Sequence, residues 1–171
     1  KLAGMVGADH RVLPLSLGHS VSFESDLQMN YRIKLSDLEG YDVQSAYLIV
    51  EKDIYSNKGE ANVETVRLQP DLTSDPSRMI FHLTGIQSVE MGSELRAVLY
   101  ITDTMGRSYE TPVDTSSILA YAQLCFDYYS YESQPELYRL LIDTLNYGAA
   151  AQICFNRRTD CLVNAGMDAY Q

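Results

Sequence analysis

The sequence predicts a mainly β protein of the α+β class: an antiparallel, immunoglobulin-like β-sandwich that carries a C-terminal α-helical hairpin. From about residue 13 to residue 112, short apolar segments alternate with polar residues and turn signals, which is typical of strands. From about residue 114 to residue 156, apolar residues recur at helical spacing. The tail, 157–171, shows neither period. We therefore expect one domain over residues 1–171, with an irregular C-terminal end.

The clearest strand is predicted over Leu27–Leu35. Its odd positions are apolar or aromatic and its even positions are all polar. Because side chains alternate between the two faces of a strand, this pattern indicates one buried face and one solvated face. The segment that follows, Asp42–Tyr55, contains the run Ala46–Val50, which is apolar on both faces and suits a central strand.

The remaining strands are shorter and are separated by turn signals. Gly106 follows an apolar strand and provides the positive φ that a tight hairpin turn needs. About six to eight such strands, with turns roughly every 8–12 residues, are typical of an antiparallel sandwich. The further predicted strands are Val63–Gln69, Met79–Thr84, Glu94–Thr102 and Ser108–Thr111.

Two helices are predicted after Asp114. Residues Asp114–Ser117 supply candidates for the first N-cap. Ser133 and Glu136 have the spacing of a capping box, with Pro135 in the first turn of the second helix. The apolar stripe of that helix consists of Leu137, Leu140, Leu141, Leu145, Gly148, Ala151 and Phe155.

Gly148 stands inside this stripe, although glycine in a helix interior costs about 0.5–1 kcal/mol relative to alanine. A glycine there lets another element approach the helix backbone closely. We predict tight packing of Gly148 against the sheet or the first helix, with a ligand-binding groove as the alternative.

Charge and composition narrow the classes of function. The chain carries 13 Lys and Arg residues against 23 Asp and Glu residues, a formal net charge of -10. This balance argues against a nucleic-acid partner, because phosphates attract basic clusters. No apolar stretch reaches the roughly 18 residues that a membrane-spanning helix needs, so we expect no membrane insertion.

Tyrosines are the most distinctive feature, since the chain has 13 of them and no Trp. Tyr128, Tyr129 and Tyr131 cluster where the two predicted helices meet. A tyrosine offers a flat apolar ring and a hydroxyl, which suits contacts with sugars or proteins. These three residues are the candidate ligand-binding set, although a rim that seals the loop onto the sheet is the favoured interpretation. We expect Tyr129 to be buried, because it continues the stripe of the first helix.

Catalytic and cofactor signals are weak. Gly18–Ser22 superficially matches a nucleophile elbow, but its fifth residue is Ser22 and no helix follows it. Asp53, Asn57 and Glu60 offer oxygen ligands near a turn, yet their spacing does not match a calcium-binding loop, so a solvated acidic turn is favoured. We also find no glycine-rich phosphate loop and no zinc-ligand spacing. The sequence therefore predicts no cofactor, no metal and no catalytic residue.

The three cysteines are Cys125, Cys154 and Cys161. We predict a disulfide between Cys154, in the last turn of the second helix, and Cys161. Seven helical residues would separate the two α-carbons by about 10.5 Å. A disulfide requires about 4.4–6.8 Å, so the chain must turn back after Asn156. Such a bond persists outside the cell and rarely inside it.

The C-terminal helix carries a string that resembles a known family. Leu145–Gln152 reads Leu-Asn-Tyr-Gly-Ala-Ala-Ala-Gln, and it is followed by an Asn-x-x-Thr-Asp step at Asn156–Asp160 and by Leu162–Ala165. These segments resemble a poorly characterised module of large secreted or surface proteins of gut and rumen Firmicutes. The likeness extends over about residues 15–170, and it differs at Cys154 and Cys161, where that module usually has an aromatic residue and an Asn.

The resemblance implies an extracellular or cell-surface location and assigns no catalytic residue. It implies as partners the neighbouring domains of the same polypeptide, and also a polysaccharide or a host or bacterial surface protein. We therefore predict a non-catalytic accessory module for spacing, adhesion or partner binding. A carbohydrate-binding module acting through exposed tyrosines is the alternative, and a hydrolase is a third hypothesis that lacks a recognisable triad.

Overall fold

A computed structural model describes residues 10–23, 26–55 and 61–170 of the chain. Within these ranges the protein is a mixed α+β structure of two mostly antiparallel sheets and two α-helices, as the sequence predicted at this level. The strands and helices are β1 (Arg11–Val12), β2 (Gly18–Ser22), β3 (Gln28–Lys34), β4 (Val43–Tyr55), β5 (Ala61–Leu68), β6 (Arg78–Leu83), β7 (Leu95–Asp103), β8 (Ser108–Glu110), β9 (Asp114–Ser116), α1 (Ile118–Tyr128) and α2 (Pro135–Cys154). Short 3-10 turns cover Leu35–Leu38, Ser88–Glu90 and Met167–Tyr170.

The larger sheet has the strand order β1-β8-β7-β4-β5, and β9 pairs with the first residues of β7. All its pairings are antiparallel except that of β1 with β8. The long central pair places Leu48 opposite Leu99, and both side chains are fully buried. This agrees with the apolar run predicted for β4, because a strand flanked on both sides can bury both of its faces.

The smaller sheet has the order β2-β3-β6 and is antiparallel throughout. Met29, Tyr31 and Ile33 of β3 are buried, so the predicted alternation is confirmed. Tyr31 lies opposite Phe81, and both rings have no exposed surface. Burial raises the pKa of the Tyr31 phenol, whose hydroxyl lies 3.5 Å from Ser116 Oγ at the end of the larger sheet.

The hairpin between β7 and β8 shows how one side chain can organise a turn. Gly106 has a φ of 78°, as its position predicted. The carboxyl of Asp103 is buried, which by itself raises its pKa. Hydrogen bonds from the backbone N–H groups of Arg107 and Met105 and from the Arg107 guanidinium outweigh that effect, so the pKa of Asp103 lies below its ordinary value.

The two sheets and both helices share one hydrophobic core in a sandwich-like arrangement. Helix α1 follows β9 directly, and the Ser117 hydroxyl caps it by accepting a hydrogen bond from Ala120 N at 2.9 Å. Of the four N-cap candidates, Ser117 is therefore the cap, and Asp114–Ser116 form strand β9 instead. Helix residues that join the core include Ile118, Phe126, Leu141 and Leu145.

Helix α2 differs from the prediction in its N-terminal cap and in the burial of its apolar stripe. The capping box of Ser133 and Glu136 is wrong, because the Ser133 hydroxyl donates to Ser130 O within the preceding loop and Gln134 occupies the N-cap position. Leu140 and Phe155 of the predicted stripe are exposed.

Among the described residues no helix is both long and apolar enough to cross a membrane.

Candidate functional site

A surface groove of about 680 Å³ opens where the loop between the helices, the first turns of α2 and the C-terminal 3-10 turn meet. We call it the tyrosine groove. Its walls are aromatic rings interleaved with polar groups: Tyr129, Ser130, Tyr131, Tyr138, Arg139, Ile142, Asp143, Ala169 and Tyr170. The fold thus brings the C-terminal residues Ala169 and Tyr170 next to the inter-helix loop and the start of α2, and together they form one groove.

Local sequence explains why the loop has this shape. Helix α1 ends at Tyr128, and Tyr129 already has extended backbone angles of -105° and 150°. Ser130 and Ser133 then fold the loop, since Ser133 N donates to Ser130 O at 3.1 Å and the Ser133 hydroxyl donates to the same oxygen at 2.9 Å. Pro135 starts α2 at a position where proline is tolerated.

The three candidate tyrosines have different surroundings. Tyr131 is 43% exposed and Tyr129 is 38% exposed, and both line the groove. Tyr128 is 78% exposed and lies outside the groove lining, with its ring edge-on to Tyr129 at 4.8 Å. The prediction that Tyr129 is buried is wrong, because the helix ends before it and the helical stripe does not continue to its side chain.

Two further tyrosines complete the groove and were not predicted. The hydroxyl of Tyr138 lies 2.9 Å from Phe126 O and 2.6 Å from Tyr129 O, which ties the start of α2 to the end of α1. Tyr170 stacks on Phe126 at 4.6 Å between ring centroids. Tyr138 lies on the buried face of α2, so the helical spacing of apolar residues could have indicated its burial. Tyr170 had no signal in the sequence, because only the tertiary fold brings the tail to this site.

The polar groups of the groove lie along α2. Arg139 Nη2 donates to the Tyr131 hydroxyl at 3.1 Å, which orients that ring. Asp143 follows one turn later and is exposed. Within the part of the chain that the structure describes, its carboxylate has no hydrogen-bond or ion-pair partner. The groove therefore combines flat aromatic surface with an accessible acceptor, and this combination can hold a ligand that has both apolar faces and hydroxyl groups.

A second groove, of about 600 Å³, lies further along the same helix. We call it the Tyr147 groove. Tyr147 is 68% exposed there, and the opposite wall includes Leu27, Ile86 and Met91. Asp143 lines both grooves.

The C-terminal half of α2 is closely packed. A Cβ atom on Gly148 would lie 2.7 Å from Met91 Sδ, 2.9 Å from Val163 Cγ2 and 3.2 Å from Ser88 O. Real Cβ contacts are essentially never shorter than 3.0 Å. The close approach expected at Gly148 is thus present, but its partners are the Ser88–Glu90 turn with Met91 and the tail, and neither the sheet nor α1.

Gln152 holds the tail in place one turn later. It is 2% exposed, and its Nε2 donates to Arg158 O at 3.1 Å and to Cys161 O at 3.0 Å. Its Oε1 accepts a hydrogen bond from Val163 N at 3.0 Å. A single buried amide therefore adds to the backbone hydrogen bonds of the tail, such as that from Cys161 N to Arg158 O, and provides the partner of Val163 N.

The predicted disulfide is absent, because Cys125, Cys154 and Cys161 are all free thiols. The chain does turn back after the helix: Asn156 has a φ of 52°, and Arg157 N donates to Gln152 O in the pattern of a Schellman cap. The turn is held by this cap and by Gln152, and the side chains of Cys154 and Cys161 are exposed. Cys125 lies in the core, where burial raises the pKa of its thiol.

Two histidines lie within hydrogen-bond distance of carboxylates. His19 Nδ1 lies 3.0 Å from Asp114 Oδ2 and so connects the smaller sheet to β9. His82 Nε2 lies 3.0 Å from Asp71 Oδ2. Hydrogen bonds from Ser74, Thr73 and His82 lower the pKa of Asp71. Gly18–Ser22 is itself strand β2, so these residues do not form the strand-turn-helix geometry of a nucleophile elbow.

The acidic residues considered as calcium ligands are also accounted for in part. Asp53 Oδ1 accepts a hydrogen bond from Arg96 Nη2 at 2.8 Å, and Arg96 also bonds Glu94 at 2.8 Å. Asn57 and Glu60 lie outside the described residues. Over residues 10–23, 26–55 and 61–170, no group of three or more His, Cys, Asp or Glu side chains is placed to hold a metal ion.

Comparison with known proteins adds no identity. No protein-family model matches the chain, and no curated protein is significantly similar to it.

Proposed function

We propose that this protein is a non-catalytic accessory module of a larger bacterial extracellular or cell-surface protein, and that the tyrosine groove is the surface it uses for adhesion or partner binding. The exposed rings of Tyr129 and Tyr131 in one groove carry this proposal. Tyrosines that only sealed the loop onto the sheet would be buried. The extracellular location rests on the resemblance of Leu145–Gln152 and its flanking segments to modules of secreted proteins.

We further propose that the sandwich belongs to the immunoglobulin-like class. Two facing sheets with alternating burial along β3 and β6 support this assignment. An experimental structure whose strand connectivity lacks the Greek-key order of that class would refute it.

A carbohydrate-binding module is the second candidate, and the polar lining of the groove favours it. Sugars present an apolar ring face for stacking and hydroxyl groups for hydrogen bonds. The groove supplies two exposed tyrosine rings, and the Asp143 carboxylate is an acceptor beside them. Under this proposal, the module binds a polysaccharide and so keeps the neighbouring domains of the same polypeptide close to it.

Affinity electrophoresis in gels that contain plant polysaccharides or mucin tests the proposal. We expect retardation of the unmodified protein and its loss in Tyr131→Ala. Tyr128→Ala is the matched control, because Tyr128 is more exposed, lies three residues away and does not line the groove. Equal retardation of all three proteins would place binding elsewhere. Migration unaffected by any of these polymers would leave a protein partner or a spacing role.

A further inference from the structure

We propose that the tyrosine groove and the Tyr147 groove form one extended binding surface for a neutral, linear polysaccharide chain. This inference rests on the proposed function and goes beyond it by naming the ligand class and the second half of the site. Tyr147 was not among the residues that the sequence indicated for binding.

The geometry of α2 connects the two grooves. Arg139, Asp143 and Tyr147 are four residues apart in turn, so they lie along one face of the helix. At 1.5 Å per residue, the eight positions from Arg139 to Tyr147 extend about 12 Å along the axis. Asp143 stands between them and lines both grooves. A ligand that contacts the rings of both Tyr131 and Tyr147 must therefore be elongated and follow the helix.

The side chains along this surface suit sugar rings in sequence. Tyr131 at one end is 43% exposed and Tyr147 at the other is 68% exposed, so each can stack on a ring of the ligand. The carboxylate of Asp143 lies between them and accepts hydrogen bonds from hydroxyl groups, which are stronger when the acceptor is charged. Aromatic rings at both ends with an acceptor in the middle match the repeating alternation of apolar faces and hydroxyl groups along a polysaccharide.

Charge decides which polysaccharide fits. The chain has a formal net charge of -10, and one of its carboxylates, the exposed Asp143, lies at the centre of the surface. An acidic polysaccharide would be repelled there, whereas a neutral one would not. Arg139 lies one turn from Asp143, so the two opposite charges offset each other locally and a basic peptide finds no purely acidic surface there.

Titration calorimetry tests the extended site. The probes are neutral oligosaccharides of glucose, xylose and mannose, from the disaccharide to the octasaccharide, together with a galacturonic acid oligomer of matched length. We expect affinity to rise with chain length for at least one neutral series. Tyr147→Ala should weaken binding of the longest oligomer by about tenfold or more and leave that of the shortest unchanged. Tyr128→Ala should bind like the unmodified protein.

The two proposals fail in different ways. If Tyr131→Ala loses binding while Tyr147→Ala matches the unmodified protein at every length, the tyrosine groove binds sugar alone and the extended site is refuted. Tighter binding of the galacturonic acid oligomer, or displacement of a neutral oligomer by a lysine-rich peptide, would refute the ligand class. Tyr147 is exposed, so an unchanged unfolding temperature for Tyr147→Ala will separate loss of binding from loss of folding.

Discussion

The two ends of helix α2 perform different tasks. At its C-terminal end, Gly148 and Gln152 are buried and the tail lies directly on the helix backbone. At its N-terminal end, the helix starts without a side-chain cap, and the tyrosine groove lies open to solvent. The tail reaches both regions: Val163 lies against the C-terminal end of α2, and Tyr170 stacks on Phe126 of α1 and lines the tyrosine groove. The comparison indicates that the C-terminal end, the dry end, is fixed by close packing and buried hydrogen bonds, while the exposed aromatic surface at the other end is available for a ligand.

The largest loss of stability is expected from Leu141→Ala, on the buried face of the N-terminal half of the helix. Leu141 is 1% exposed and belongs to the shared core. Truncating a buried leucine in this way costs about 2–5 kcal/mol of unfolding free energy. Urea denaturation will measure the change. Leu140→Ala is the matched control, because the neighbouring leucine is 43% exposed and should lose much less. Equal losses would show that α2 is peripheral to the core.

Gln152→Met should give the next largest effect, at the dry end. Methionine keeps most of the volume but removes the side-chain partner of Cys161 O and of Val163 N, whereas Arg158 O keeps the hydrogen bond from Cys161 N. A buried group left without a partner costs about 1–3 kcal/mol, and we expect a loss in this range because Val163 N is buried. Thermal unfolding will test this. The exposed Gln123 on α1 provides the control, Gln123→Met, which should change stability little.

Periodicity in the sequence was sufficient for elements whose burial follows a regular repeat. Strand β3 was predicted almost to its ends because its apolar side chains alternate, and α2 was predicted because its leucines recur. Strand β9 was missed, since Asp114–Ser116 has no apolar alternation and looks like a helix cap. Residue type alone singled out Tyr128, Tyr129 and Tyr131, although it did not predict that Tyr129 is exposed. It could not indicate Tyr170, whose place depends on a tail fixed by Gln152, a polar residue that an apolar stripe does not include.

Gly148→Ala sharpens the comparison at the close contact itself. Alanine gains about 1 kcal/mol of helix propensity over glycine. The added methyl group would clash with Met91 Sδ and Val163 Cγ2, and overpacking of this kind typically costs about 1–3 kcal/mol. We expect a net loss of about 1–2 kcal/mol.

The double variant Gly148→Ala with Val163→Ala separates these two effects. If the methyl group clashes with Val163, the loss in the double variant will be smaller than the sum of the two single losses. A Gly148→Ala protein more stable than the unmodified one would show that the backbone of α2 is not closely approached there.

The smallest effect on stability, and the largest on binding, is expected from Tyr131→Ala at the open end. Tyr131 is 43% exposed, and its hydroxyl accepts one hydrogen bond from the exposed Arg139. Substitutions of this kind usually change the free energy of unfolding by no more than about 0.5 kcal/mol. Urea denaturation of Tyr131→Ala and of the control Tyr128→Ala should therefore give the same midpoint as the unmodified protein. If Tyr131→Ala instead unfolds as easily as Gly148→Ala, the ring contributes to the core and both ends of α2 serve stability. An unchanged midpoint combined with lost polysaccharide retardation would establish that the ring serves the ligand and not the fold.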